Sequence, residues 1–137
     1  MKRREAREKA IQTLFQLDNT ELSIDEAIDY IIENEGEGKV KVNSFYDQLV
    51  RGTIENKTVI DTALSANLEN WSLNRLPKIE RTVLRLAVFE LLFGKDAPER
   101  VIMNEAIELC KTFGDEKSGR FVNGVLSKFA EKEVEDK

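Results

Sequence analysis

Apolar residues recur along most of the chain at intervals of three and four positions, which is the period of an amphipathic α-helix. Only two prolines, Pro77 and Pro98, interrupt the 137 residues, and alternating β-branched runs are scarce. The pattern predicts helices over residues 3–17, after Ser23, from about Ser44, over 57–68, over 77–93, from Pro98 and after Asp115. The sequence therefore predicts an all-α fold with six to seven helices.

A break in the pattern at residues 70–76 divides the chain into two helical halves, about 1–70 and 73–131. We expect the two halves to pack together as a single domain that spans residues 1–137. Residues 87–93 are apolar on almost every side of their predicted helix. A helix of this kind is typical of the centre of a core, because no face of it is suited to water.

Several residues predict where helices begin, end or approach one another. Ser23 and Glu26 have the spacing of a capping box, in which each side chain accepts a hydrogen bond from the other residue's backbone. Gly114 is typical of a helix end and Asp115 of the next helix start. Gly124 costs helix stability relative to alanine, which predicts that a neighbouring helix approaches closely there.

The composition excludes many kinds of active site. Hydrophobic residues make up 41% of the chain and charged residues 34%, with no histidine and a single cysteine, Cys110. This rules out catalysis by Cys–His or Ser–His–Asp groups, zinc sites of the usual ligand sets and an intrachain disulfide. Cys110 also lies on an apolar stripe with Ala106 and Phe113, as a core residue would. We therefore expect no enzyme and no cofactor.

The N-terminus has no apolar signal segment, and no window of the chain is apolar enough to span a membrane. These two observations predict a cytoplasmic protein.

The net charge of −5 conceals an uneven distribution, since residues 1–9 sum to +3 and residues 18–38 to −8. Arg3, Arg4 and Arg7 open the first helix, where cations oppose the helix dipole at a cost of about 0.3–1 kcal/mol each. Such a cluster favours an anionic partner such as phosphate. A solvated basic end that aids solubility is an equally good interpretation of these residues alone.

Five segments, taken in order, resemble the NusB family over the whole of residues 3–130. They are Arg3-Arg4-Glu-Ala-Arg7, Ala10-Ile-Gln-Thr-Leu-Phe15, Ile79–Ala87 with Phe89–Leu91, Asn104–Leu109 and Phe121–Leu126. The resemblance implies an all-α fold of two packed helical halves. It also implies transcription antitermination without catalysis, by binding the boxA element of rRNA leader transcripts. The implied partners are NusE, a small-subunit ribosomal protein, and the elongating RNA polymerase complex.

The resemblance also implies which residues make these contacts. RNA-facing positions of the family lie at the start of the first helix, near the end of the fourth and at the start of the last. The matching residues are Lys2, Arg3, Arg4, Arg7, Asn67, Lys117, Ser118, Arg120 and Phe121. Trp71, close to Asn67 in the chain, is an alternative to it. For NusE, the matching residues are the aromatic Phe15 and the acid Glu80.

Two other function classes stay open beside this one. A protein-interaction adaptor would bind NusE without sequence-selective RNA binding. An enzyme would need a metal or a cofactor, and no motif in the sequence indicates a binding site for either. Some members of the family dimerise, and a homodimer that covered the basic helix would regulate access to RNA.

Overall fold

A computed structural model of the chain describes residues 2–33, 44–68, 72–94 and 97–135. These ranges contain seven α-helices, a single 3-10 turn and no strand, which confirms the predicted all-α class. The helices are α1 (Arg3–Asn19), α2 (Ile24–Glu33), α3 (Ser44–Glu55), α4 (Lys57–Ser65), α5 (Lys78–Phe93), α6 (Glu99–Phe113) and α7 (Glu116–Glu135), and the 3-10 turn is Leu73–Arg75. Trp71 lies outside the described residues. Among those that are described, no helix combines the length and apolar content that a membrane crossing requires.

The helices group into two units, which we describe separately. The first unit, Met1–Glu55, holds α1 to α3, and the second, Asn56–Lys137, holds α4 to α7. The sequence pattern placed α4 in the N-terminal half, but α4 contacts α5 and the 3-10 turn. The apolar stripe of α4 is covered, since Ile60 and Leu64 are fully buried.

In the first unit, α1 contacts both α2 and α3. A buried polar pair links α1 to α3: the Thr13 Oγ1 and Tyr46 Oη atoms are 2.6 Å apart. Thr13 already donates its hydroxyl proton to the Lys9 carbonyl at 2.8 Å, so Tyr46 is the donor in this pair. Burial raises the pKa of Tyr46, which keeps the phenol protonated and able to donate.

The predicted capping box at the start of α2 is confirmed. The backbone N–H of Ser23 donates to Glu26 Oε1 and the backbone N–H of Glu26 donates to Ser23 Oγ, both at 3.1 Å. The hydrogen bond from the Ser23 backbone N–H is the main reason why the pKa of Glu26 lies below its ordinary value, and the Ser23 side chain adds to this shift. The guanidinium of Arg51 binds Asp47 on its own helix and Asp25 on α2, and so connects α2 to α3.

In the second unit, α5 contacts α4, α6 and α7. Its buried residues occupy every face of the helix between residues 82 and 90. They are Thr82, Val83, Leu84, Leu86, Ala87, Val88, Phe89 and Glu90. The sequence predicted such a stretch over residues 87–93, and only its first part is buried: Leu91 and Leu92 are half-buried, and Phe93 is 42% exposed and stacks on Phe89. Arg85 forms two hydrogen bonds to the carboxylate of Asp61, which tie α5 to α4.

The close approach predicted at Gly124 is wrong. A Cβ atom placed on Gly124 would meet nothing within 4 Å, so this face of α7 is open. The glycine of α7 that faces a neighbouring helix is Gly119, where a Cβ would make ordinary van der Waals contacts, 3.5 Å from Ile107 Cγ2 and 3.9 Å from Cys110 Cβ. The helical period separates the two glycines, because five positions turn a helix by about 140°. Gly119 lies three positions before the buried Val122 and seven before the buried Leu126, on the stripe that faces the core, whereas Gly124 lies off that stripe.

We expect Gly124→Ala to raise the free energy of unfolding by about 0.5–1 kcal/mol. The alanine methyl meets open space, and the substitution lowers the backbone entropy of the unfolded chain. Gly119→Leu should lower the free energy of unfolding by about 1–3 kcal/mol, because Ile107 and Cys110 already fill the space around it. Urea unfolding of both variants measures these changes. A destabilised Gly124→Ala protein would contradict the open face.

Candidate nucleic-acid interface

The start of α1 exposes three of the four cations that the sequence singled out there. Lys2, Arg3 and Arg4 are exposed, whereas Arg7 is only 3% exposed. The first turn offers a single acid, Glu5, to complement the helix dipole. A short row of exposed cations at a helix start is suited to phosphate groups and costs stability in the free protein. Arg7 is instead buried within the first unit.

An aromatic ring lies beside these arginines. Phe45, in the first turn of α3, is half-buried, and the guanidinium carbon of Arg3 lies 4.2 Å from its ring centroid. The guanidinium carbon of Arg7 lies 5.3 Å from the same centroid. Both distances are within the range of a cation–π interaction. The pair of arginines therefore anchors the start of α1 to the start of α3.

The start of α7 forms a second cationic segment. Lys117 and Arg120 are exposed, and Ser118 and Phe121 are half-buried. Asp115 caps this helix as predicted, because its Oδ1 accepts a hydrogen bond from the backbone N–H of Ser118 at 2.7 Å. That hydrogen bond is the main reason why the pKa of Asp115 lies below its ordinary value of 3.8.

A cleft in the second unit brings several predicted residues together. It has a volume of about 590 Å³ and lies between the first turn of α5, the 3-10 turn and the start of α7. Its lining residues are Arg75, Leu76, Pro77, Glu80, Asp115, Lys117, Ser118 and Phe121. Glu80, predicted for NusE, thus shares one cleft with three residues predicted for RNA. Both acids and bases line it beside one aromatic ring.

Two predicted residues have other surroundings. Asn67 is 8% exposed, and its Nδ2 donates to the Ala63 carbonyl at 2.9 Å, which closes the end of α4. This hydrogen bond gives Asn67 a structural role at the end of α4. Phe15 lies on α1 in the first unit and is half-buried, so part of its ring is open to solvent.

Sequence reasoning did not find every residue of these surfaces. Phe45 reads as a core residue of a helical stripe, and nothing in the sequence places it beside residues 3 and 7. Arg75 and Leu76 lie within the break in the helical pattern at residues 70–76, and nothing in that segment indicates a cleft. The contacts join segments about 40 residues apart, which local periodicity does not report.

The lone thiol is unsuited to nucleophilic chemistry. Cys110 is fully buried on α6, and burial raises the pKa of its thiol to about 12. The carboxylates of Glu80 and Asp115 add to this shift. The thiol is therefore protonated near neutral pH, whereas nucleophilic attack requires the thiolate.

Fold and surface together define an all-helical binding protein whose cations and aromatic rings gather at helix starts. The NusB family model matches residues 4–131, and the chain belongs to the NusB family. It is similar to the transcription antitermination protein NusB of Lysinibacillus sphaericus, with 61% identity over 133 residues. That alignment covers 97% of this chain and 100% of the relative.

Several solved structures share the fold, among them a structure of NusB and one of NusB with NusE and RNA. NusB from T. maritima is 39% identical with a TM-score of 0.84, over 96% of this chain and 92% of that one. A crystal structure of the antitermination factors NusB and NusE in complex with double-stranded RNA gives a TM-score of 0.83 at 31% identity. It covers 95% of this chain and 96% of the matched chain.

The cap at Asp115 predicts an acid-sensitive contribution to stability. Because the folded-state pKa of Asp115 is lowered, this contribution is present above the ordinary value of 3.8 and is lost as the pH falls through the folded value. Asp115→Asn keeps a capping oxygen but does not titrate. Urea unfolding across the acid range should therefore show the two proteins converging in stability as the pH falls below 3.8. A difference between them that does not depend on pH would contradict this role.

Proposed function

We propose that this protein is a transcription antitermination factor that binds the boxA element of rRNA leader transcripts together with NusE. Membership of the NusB family carries the proposal. The relative solved with NusE and double-stranded RNA supports it, because this chain has the same fold over nearly its whole length. Exposed cations at the starts of α1 and α7 are the groups that a polyanionic ligand requires.

On the RNA side, the side chains that solvent can reach divide into two kinds. Lys2, Arg3, Arg4, Lys117 and Arg120 supply positive charge for phosphates, which provides affinity without reading sequence. Phe121 offers part of a ring on which an unpaired base can stack, with the Ser118 hydroxyl beside it in the cleft. Because Arg7 and Asn67 are buried, we assign them support of the surface and not direct contact.

On the NusE side, Phe15 and Glu80 are the proposed contacts. Glu80 presents a carboxylate in the cleft, which selects a basic surface on the partner. Phe121 lines the same cleft. A partner bound at Glu80 would therefore lie next to RNA bound at Phe121, which gives a physical reason for the two ligands to strengthen each other's binding.

The wider setting follows from the same proposal. The protein would act in the cytoplasm as part of the elongating RNA polymerase complex, by binding and without catalysis. A homodimer that covered the start of α1 would compete with RNA for Arg3 and Arg4. Sedimentation at low and high salt distinguishes such a dimer from a monomer.

The proposal is tested by fluorescence anisotropy with a short boxA RNA and a scrambled RNA of equal length. Each RNA is titrated with the protein alone and with its NusE complex at two salt concentrations. We expect a preference for boxA that increases with NusE. If three to five phosphates are neutralised, log affinity should fall against log salt with a slope of about −2 to −3.5.

Two results would contradict the proposal. Equal, weak binding of both RNAs in the presence of NusE would leave an adaptor whose arginines are a nonspecific anchor. Binding that did not change with salt would mean that the exposed cations do not contact the RNA phosphates.

A further inference from the structure

Phe45 holds two arginines of α1 against one ring, and only one of them is at the surface. Arg7 is 3% exposed and lies 5.3 Å from the ring centroid, whereas Arg3 is exposed and lies 4.2 Å from it. The ring itself is half-buried in the first turn of α3. Arg3 therefore lies against the Phe45 ring and is exposed to solvent as well.

This arrangement restricts an otherwise flexible side chain. A free arginine samples many rotamers, and a ligand that binds it must bear the entropy of ordering it. Contact with Phe45 orders Arg3 before the ligand arrives, and the α1–α3 packing fixes the ring. The cation is thus held in place by α3, an element that the charge pattern of the sequence does not implicate.

We propose that Phe45 is a positioning residue that holds the Arg3 guanidinium as a stacking plane for an RNA base. This inference rests on the proposed function and adds a residue and a mode of contact to it. Unpaired bases stack on arginine planes as well as on aromatic rings. A base on the outer side of Arg3 would complete a stack of base, guanidinium and phenyl ring, whereas a phosphate needs only the charge.

Phe45→Leu tests the role of the ring because it keeps the apolar bulk and every charge. We expect affinity for boxA RNA to fall about three- to tenfold at fixed salt. The slope of log affinity against log salt should not change, since no cation is removed. Affinity for inorganic polyphosphate of matched charge, which has no bases, should stay within about twofold of the wild-type value.

Two further variants separate positioning from a general effect on folding. Phe45→Tyr restores the aromatic face and should restore RNA affinity. Arg3→Lys keeps the charge at an exposed position but loses the planar group, so it should weaken RNA binding as Phe45→Leu does and spare polyphosphate binding. Thermal unfolding of all three variants checks that the first unit stays folded.

The outcomes distinguish this inference from the proposed function. Wild-type protein that binds no RNA would contradict the proposed function itself. Wild-type binding together with an unchanged Phe45→Leu affinity would overturn the positioning role alone. Equal losses for RNA and polyphosphate would overturn the stacking contact, because they would mean that Phe45 positions Arg3 for phosphates and not for a base.

Discussion

The second unit depends on one constraint: α5 is apolar on nearly every side and must be covered on all of them. Contacts with α4, α6 and α7 meet that requirement. Covering α5 in this way places its first turn beside the start of α7, and the cleft that holds Glu80 and Phe121 lies there. The polar and charged residues of the cleft are thus positioned by apolar burial, which is the larger energetic effect.

The first unit combines the same principle with a buried cation. α1 covers α2 and α3 with its apolar stripe, and Arg7 enters the buried part of the unit beside Phe45. A buried guanidinium is costly unless other groups compensate it, and the Phe45 ring beside Arg7 is one such group. Arg7 thereby fixes the start of α1, where the exposed cations are. The dipole cost of those cations is then offset when an anion binds.

The sequence predicted those features that repeat with the helical period or that depend on near neighbours in the chain. The all-α class, the capping box of Ser23 and Glu26, the cap at Asp115 and the buried α5 are of this kind. It did not predict the placement of α4 or the contact between Arg3 and Phe45, because both depend on which helices meet in space. The close approach expected at Gly124 was wrong for a local reason, since Gly119 and not Gly124 lies on the buried stripe of α7. The resemblance to a family supplied most site residues, and the structure then separated the exposed ones from Arg7 and Asn67.

In the proposed function, exposed cations at the starts of α1 and α7 bind the RNA backbone. The most direct test is the salt dependence of boxA affinity for Arg3→Ala/Arg4→Ala and for Lys117→Ala/Arg120→Ala. A matched control, Lys57→Ala/Arg100→Ala, removes equal charge from exposed positions on α4 and α6. We expect each of the first two variants to lose about 1.4 from the magnitude of the slope and the control to keep it. Equal slopes for all three double variants would contradict the claim.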